Sequence, residues 1–230
     1  MSNKYVIIPA AGIGTRMKLN IPKQYYRLSN DKTILDNTLE KFIDNCFFDH
    51  IFLALSSEDE FWSQSIYYNH SKVKTCVGGK TRFESVYNGL KAIKGNSDDW
   101  VFVHDAARPC IDTQNIIDLY EQTKNSHSQA GILAVKAFET VKKVGVKNII
   151  VKTINRDDIW LAQTPQLSRL GQLEKSFDFC HSNNLINKIT DEASALELYG
   201  INPIIVEGAR KNIKITTQDD LDFANWQLNK

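Results

Sequence analysis

KYVIIPAAGIGTRMKLNIPKQY, residues 4–25, joins an apolar run to a loop containing two glycines and three cations. Residues 4–9 favour an extended strand, with Tyr5, Val6, Ile7 and Ile8 in succession. Gly12 and Gly14 follow directly, and Arg16, Lys18 and Lys23 place positive charge just beyond them. Glycines let a backbone approach a ligand closely, and fixed cations at a strand end suit phosphate. Two familiar phosphate loops do not fit. A Walker A loop needs GxxxxGK[ST], which residues 9–25 lack, and Gly79-Lys80-Thr81 has Lys74 where the first glycine would stand. A dinucleotide fingerprint needs GxGxxG, but Met17 occupies the third glycine position.

Outward from this loop, short apolar runs alternate with helical patterns. Strands are expected at 50–55, 73–77, 100–104 and 131–135, with helices at 33–44, 81–93 and 113–123. In TRFESVYNGLKAI, Phe83, Val86, Leu90 and Ile93 recur at spacings of three and four, one apolar stripe of a helix. Near-continuous apolar strands alternating with amphipathic helices predict an α/β fold: a mostly parallel, Rossmann-like sheet flanked by helices. TVKKVGVKNIIVKT, residues 140–153, alternates aliphatic and basic residues around Gly145 and Asn148, a β-hairpin pattern. It reads as an arm at about 138–156, packing on a partner subunit or folding back on its own domain. Beyond it the pattern predicts a strand or loop at 159–166, a helix at 167–182 and a helix from Thr190 to Gly200. Strands at 203–207 and 213–215 come next, then a last helix capped by Thr217. Residues 1–230 are expected to form one domain with this arm.

Composition narrows the function. The 230 residues carry 28 basic and 27 acidic side chains, so bulk charge does not point to a nucleic-acid or membrane surface. No window approaches the ~18 apolar residues of a membrane span. The N-terminal apolar run is too short for a signal peptide. Four scattered cysteines without CxxC spacing suit reduced thiols in the cytoplasm.

Taken in order, AAGIGTRM, PKQY, GGKTRFESV, HDAARP, TPQ, TDEASALE and EGARKNIKIT resemble the 2-C-methyl-D-erythritol 4-phosphate cytidylyltransferases, from about Lys4 to Asn225. The resemblance implies transfer of a cytidylyl group from CTP to a polyol phosphate, with pyrophosphate released and Mg²⁺ carried mainly by the triphosphate. It implies that Ala10, Ala11, Gly12, Gly14, Arg16, Lys23, Gly79, Ser85 and Lys214 bind CTP. Asp105, Arg108, Thr140, Arg156, Thr164, Thr190 and Lys214 would meet the polyol phosphate. Arg16, Lys23, Arg156 and Lys214 would be the catalytic cations, and Asp105 could also reach the metal. Thr140 and Arg156, carried by the arm, would serve the other subunit of a homodimer. The segment before the arm departs from the family, with Lys136-Ala137-Phe138-Glu139-Thr140 where a Pro-Val-Lys-Asp-Thr-like run is usual. Locally, Thr81 and Thr190 also read as helix caps, Asp191 and Glu192 as charges favourable to a helix N-terminus, and His104 as a packed strand residue. A ribitol 5-phosphate cytidylyltransferase and a non-catalytic nucleotide-binding regulatory protein are the alternatives.

Overall fold

A computed structural model describes residues 2–12 and 21–230. At its centre is β1 (Lys4–Pro9). Strand alternation sends Val6 and Ile8 to one face and Tyr5 and Ile7 to the other, and all four are buried. A strand apolar on both faces has to be covered on both sides. The described residues meet that demand with a seven-stranded sheet. Its order is β3 (Val73–Val77), β2 (His50–Leu55), β1, β4 (Trp100–Val103), β8 (Trp160–Arg169), β5 (Ala130–Lys136) and β9 (Ile204–Glu207). Only β8 runs against its neighbours; the other pairings are parallel.

Helices α1 (Ile34–Ile43) and α3 (Thr113–Lys124) cover the Val6 face through Leu35, Leu39, Phe42, Ile116 and Leu119. Helices α2 (Arg82–Ala92), α4 (Leu170–Ser182) and α5 (Glu192–Tyr199) cover the Ile7 face. The stripe read from the sequence is the face that α2 buries, and Phe83 stacks on Phe177 with centroids 4.6 Å apart. Each such side chain contributes roughly 1.5–3 kcal/mol on burial. Helix α6 (Gln218–Leu228) packs Leu221 and Ala224 with Ile34 and Ile215 in a third cluster. Thr217 caps it in a reciprocal box with Asp220, as its sequence implies.

Three expectations are corrected. Residues 167–169 belong to β8 and not to the following helix. They pair with both β4 and β5, so long-range ladder hydrogen bonds override a local helical pattern. Residues 213–215 form no strand; Ile215 donates its N–H to the carbonyl of Ala107, and its side chain is buried in the third cluster. Thr190 is not the cap of α5. Asp191 is, accepting from the Ser194 amide while Ser194 Oγ accepts from the Asp191 amide.

Strands β6 (Val141–Val144) and β7 (Ile150–Ile154) form a separate antiparallel pair. Lys147 and Asn148 turn the chain at φ 58° each. Val146 is 84% and Ile149 66% exposed, so the tip does not fold back on its own domain.

Candidate active site

The ends of β1 and β4 and the loop between β3 and α2 open onto one cleft of about 220 Å³. Carboxyl ends of parallel strands are where open α/β sheets take their ligands. One wall is the GGKTRFES loop. A Cβ on Gly79 would lie 2.1 Å from the Glu84 Cβ, so only glycine fits there. The buried Ser85 hydroxyl accepts from the Gly79 amide at 3.0 Å and donates to the Thr81 carbonyl at 3.0 Å. Thr81 and Glu84 close a capping box over the start of α2. The loop is therefore held by its own side chains before any ligand arrives.

The opposite wall is the loop after β1. The Ala10 N–H is not open to a phosphate, because it donates to the Ala54 carbonyl at 2.8 Å. The sheet ladder extends through this residue, and the Gln24 amide seals its carbonyl at 2.7 Å. Among the described residues no hydrogen bond engages the amides of Ala11 and Gly12, which line the cleft. Gly14 and Arg16 lie outside the described residues. Lys23 reaches the cleft and donates to the Ile215 carbonyl at 2.8 Å.

The floor is a charge cluster around Asp105. Its Oδ1 accepts from Arg82 Nε at 3.0 Å; its Oδ2 meets Lys214 Nζ at 3.0 Å and Arg108 Nε at 3.3 Å. Burial alone would raise the Asp105 pKa, but Arg82, Lys214 and Arg108 together hold it well below the usual carboxylate range. Arg82 turns its remaining nitrogens to Glu192, at 2.6 and 2.9 Å. Burial opposes the Arg82 charge, yet Glu192 and Asp105 outweigh it and raise its pKa further. Counting these five side chains, three cations meet two carboxylates, leaving one net positive charge at the floor.

A second layer holds Asp105 in place. Thr164 Oγ1 accepts from the Asp105 amide and bonds to His104 Nδ1, both at 3.0 Å. His104 Nε2 lies 3.1 Å from the Arg108 carbonyl, which can only accept, so this nitrogen carries the proton and Nδ1 accepts from Thr164. Full burial pushes the His104 pKa down to about 4. The packed reading of His104 therefore agrees with its surroundings. Asn212 ties Thr164 and Arg108 together: its side-chain amide donates to the Thr164 carbonyl at 2.8 Å, and its carbonyl accepts from Arg108 Nη1 at 2.6 Å.

Ala10, Ala11, Gly12, Lys23, Gly79, Ser85, Asp105 and Lys214 thus meet in one cleft. Arg108 and Thr164 stand behind its lining, committed to Asp105 and Asn212. Thr190 is exposed beside a neighbouring recess of about 250 Å³, on the far side of Arg82. Thr140 and Arg156 sit at the two ends of the hairpin, and both are exposed. Among the described residues Arg156 makes no ion pair with Asp157 or Asp158.

Two members of the cluster escaped the sequence reading. Arg82 lies within GGKTRFES and Glu192 within TDEASALE, yet neither was singled out as a site residue. Glu192, read as a charge favourable to a helix N-terminus, is 2% exposed and ion-paired with Arg82. The available signal was Arg82 itself, a cation at the first residue of α2, where the helix dipole disfavours positive charge.

A mostly parallel sheet, a loop after its first strand and a cation-ringed cleft at its strand ends define an α/β nucleotidyltransferase. The family described as IspD, 2-C-methyl-D-erythritol 4-phosphate cytidylyltransferase, matches residues 4–230, and the chain belongs to it. A relative so named from Vesicomyosocius okutanii is 43% identical over 99% of this chain and 98% of its own length. The crystal structure of the Francisella tularensis enzyme of that name is 70% identical, covers 98% of this chain and 100% of its own, and superposes with a TM-score of 0.88. The corresponding structure from Thermus thermophilus superposes at 0.81 with 25% identity over the full length of both chains.

Proposed function

We infer that this chain transfers a cytidylyl group from CTP to 2-C-methyl-D-erythritol 4-phosphate in isoprenoid precursor synthesis. A phosphate oxygen of the polyol attacks the α-phosphorus of CTP. The bond between the α-phosphorus and its bridging oxygen breaks, and pyrophosphate leaves. No covalent enzyme intermediate is required, so catalysis rests on positioning and charge. The observation that carries this reading is the cluster in which Asp105 holds Lys214 and Arg82 beside Lys23, facing the Gly79 loop.

Roles follow from chemistry. The Gly79 loop takes the base, with its Ser85 brace fixing the shape of that wall. The open amides of Ala11 and Gly12, together with Gly14, take the triphosphate. Lys23 and Arg16 stabilise the charge that builds on the α-phosphate and the departing pyrophosphate, and Lys214 bridges the two substrates. Asp105 accepts from polyol hydroxyls; Arg108 and Thr164 hold it there, and Thr190 lies at the polyol side. Thr140 and Arg156 reach the polyol phosphate of a second copy, so the working form is a homodimer joined through the arm. The apolar residues exposed at its tip support that assembly.

A divalent cation, Mg²⁺, arrives on the triphosphate and offsets part of its charge. The described residues contain no group of three or more metal-ligating side chains, and both Asp105 oxygens already face cations. That donor set does not fit a resident ion. No described helix is long and apolar enough to cross a membrane. The free cysteines support a cytoplasmic setting.

The test is pyrophosphate release from purified protein given CTP with methylerythritol phosphate or ribitol 5-phosphate. Turnover with the first is expected. Preference for ribitol 5-phosphate would move the assignment to that alternative, and CTP binding without release would make the chain a regulatory binder.

A further inference from the structure

We propose that Arg82 and Glu192 form a positioning pair that sets the orientation of Asp105 and so governs the fit of the polyol phosphate, in the reaction inferred above, on which this reading rests. Arg82 divides its donors. Nε serves Asp105 Oδ1 at 3.0 Å, and Nη1 and Nη2 clasp the Glu192 carboxylate at 2.6 and 2.9 Å. A planar guanidinium makes these three contacts at once, and an ammonium cannot. Glu192 is 2% exposed and spends its carboxylate on this fork. Three elements are locked together: the first residue of α2, the first residue of α5 and the end of β4.

The division of the Asp105 oxygens gives the fork its purpose. Oδ1 belongs to Arg82; Oδ2 is shared by Lys214 and Arg108. Of these cations Lys214 is the most exposed, at 36%, against 27% for Arg82 and 12% for Arg108. It is the one able to leave the carboxylate for an arriving phosphate. Arg82, anchored from behind by Glu192, keeps the Asp105 plane fixed when Lys214 departs. Without Glu192, the guanidinium has one carboxylate to serve instead of two, and Asp105 turns with it.

Glu192→Gln, Arg82→Lys and the double variant test this, with CTP and methylerythritol phosphate varied separately in steady-state assays. Expected is a rise of about 10- to 100-fold in KM for the polyol phosphate while KM for CTP stays within about twofold, since a small misplacement acts on the contact it touches. The double variant is expected to lose no more than the worse single, because each acts through the other. Equal shifts in both KM values, additive losses, or an unshifted polyol KM in folded protein would overturn the proposal. Should Glu192→Gln fail to fold, Glu192→Asp keeps the charge with a shorter reach; an intermediate rise in polyol KM supports the pair, and an unshifted one overturns it. Wild-type inactivity would overturn the reading of the reaction and the pair with it; an active wild type with unshifted variants overturns the pair alone.

Discussion

Lys23 and Lys214 approach the cleft from different parts of the chain. Lys23 donates to the Ile215 carbonyl at 2.8 Å. Lys214 is paired with Asp105, so its charge is partly offset until a phosphate draws it away. Lys23 is a direct test of transition-state charge stabilisation, because it lines the cleft beside Asp105 and Lys214. Lys23→Ala is expected to lower kcat by about 10²- to 10³-fold, the size of losing one preorganised donor. Pyrophosphate release measures it, and an unchanged melting temperature separates it from unfolding. A loss below about threefold in folded protein would remove Lys23 from the chemistry. At this scale the residues of the cleft wall were readable because glycine and lysine at strand ends have few other uses. The Arg82–Glu192 pair was not, because its partners lie on separate helices and Glu192 has a local reading as a charge favourable to a helix N-terminus.

Among the elements, β1, β2 and β3 were placed at their observed limits; β1 and β2 are near-continuous apolar runs, whereas β3 carries Lys74 and Thr75 between Val73 and Cys76. Residues 167–169 were misplaced because their strand character comes from Trp100, Val101 and Phe102 on one side and Ala130 and Gly131 on the other, partners far away in sequence. Two predictions belong to elements. Gly79→Ala pushes a Cβ toward Glu84, so the loop that Ser85 braces has to shift. KM for CTP is expected to rise about tenfold or more with the fold retained, and an unchanged KM for CTP would detach this loop from the base. The hairpin raises the second. Its pairing is antiparallel, yet its tip leaves Val146 and Ile149 in the open. A lone two-stranded hairpin is marginal in water, so the arm needs a surface. Val146→Lys with Ile149→Lys is expected to give a monomer by analytical ultracentrifugation and to abolish turnover. A monomer with full activity would sink the shared-site reading.

Over the whole molecule, the cluster and its second layer make stability depend on pH. His104 sits where β4 ends, fully buried and neutral, its pKa at about 4 against an ordinary 6.5. The unfolded chain therefore binds this proton more readily than the folded one between those values. The sign follows: stability from this group is complete above about pH 6.5 and is lost as pH falls toward 4. The difference corresponds to about 3 kcal/mol, a large share of the margin of an ordinary domain. Asp105 adds to the loss only at lower pH, since its folded pKa lies beneath the usual carboxylate range and its stabilisation disappears as pH falls through that range. Glu192 works the other way. Burial raises its pKa, so its protonation on acidification favours the folded state and offsets part of the decline. Urea unfolding from pH 7 to pH 4 should therefore show a falling midpoint with no change in slope against denaturant. His104→Gln keeps a donor for the Arg108 carbonyl and removes the titration. It is expected to be less stable at pH 7 and flatter across this window, because the group that takes up the proton on unfolding is gone. If the variant falls as steeply as the parent, His104 is not the titrating group, and the acid sensitivity lies in the carboxylates.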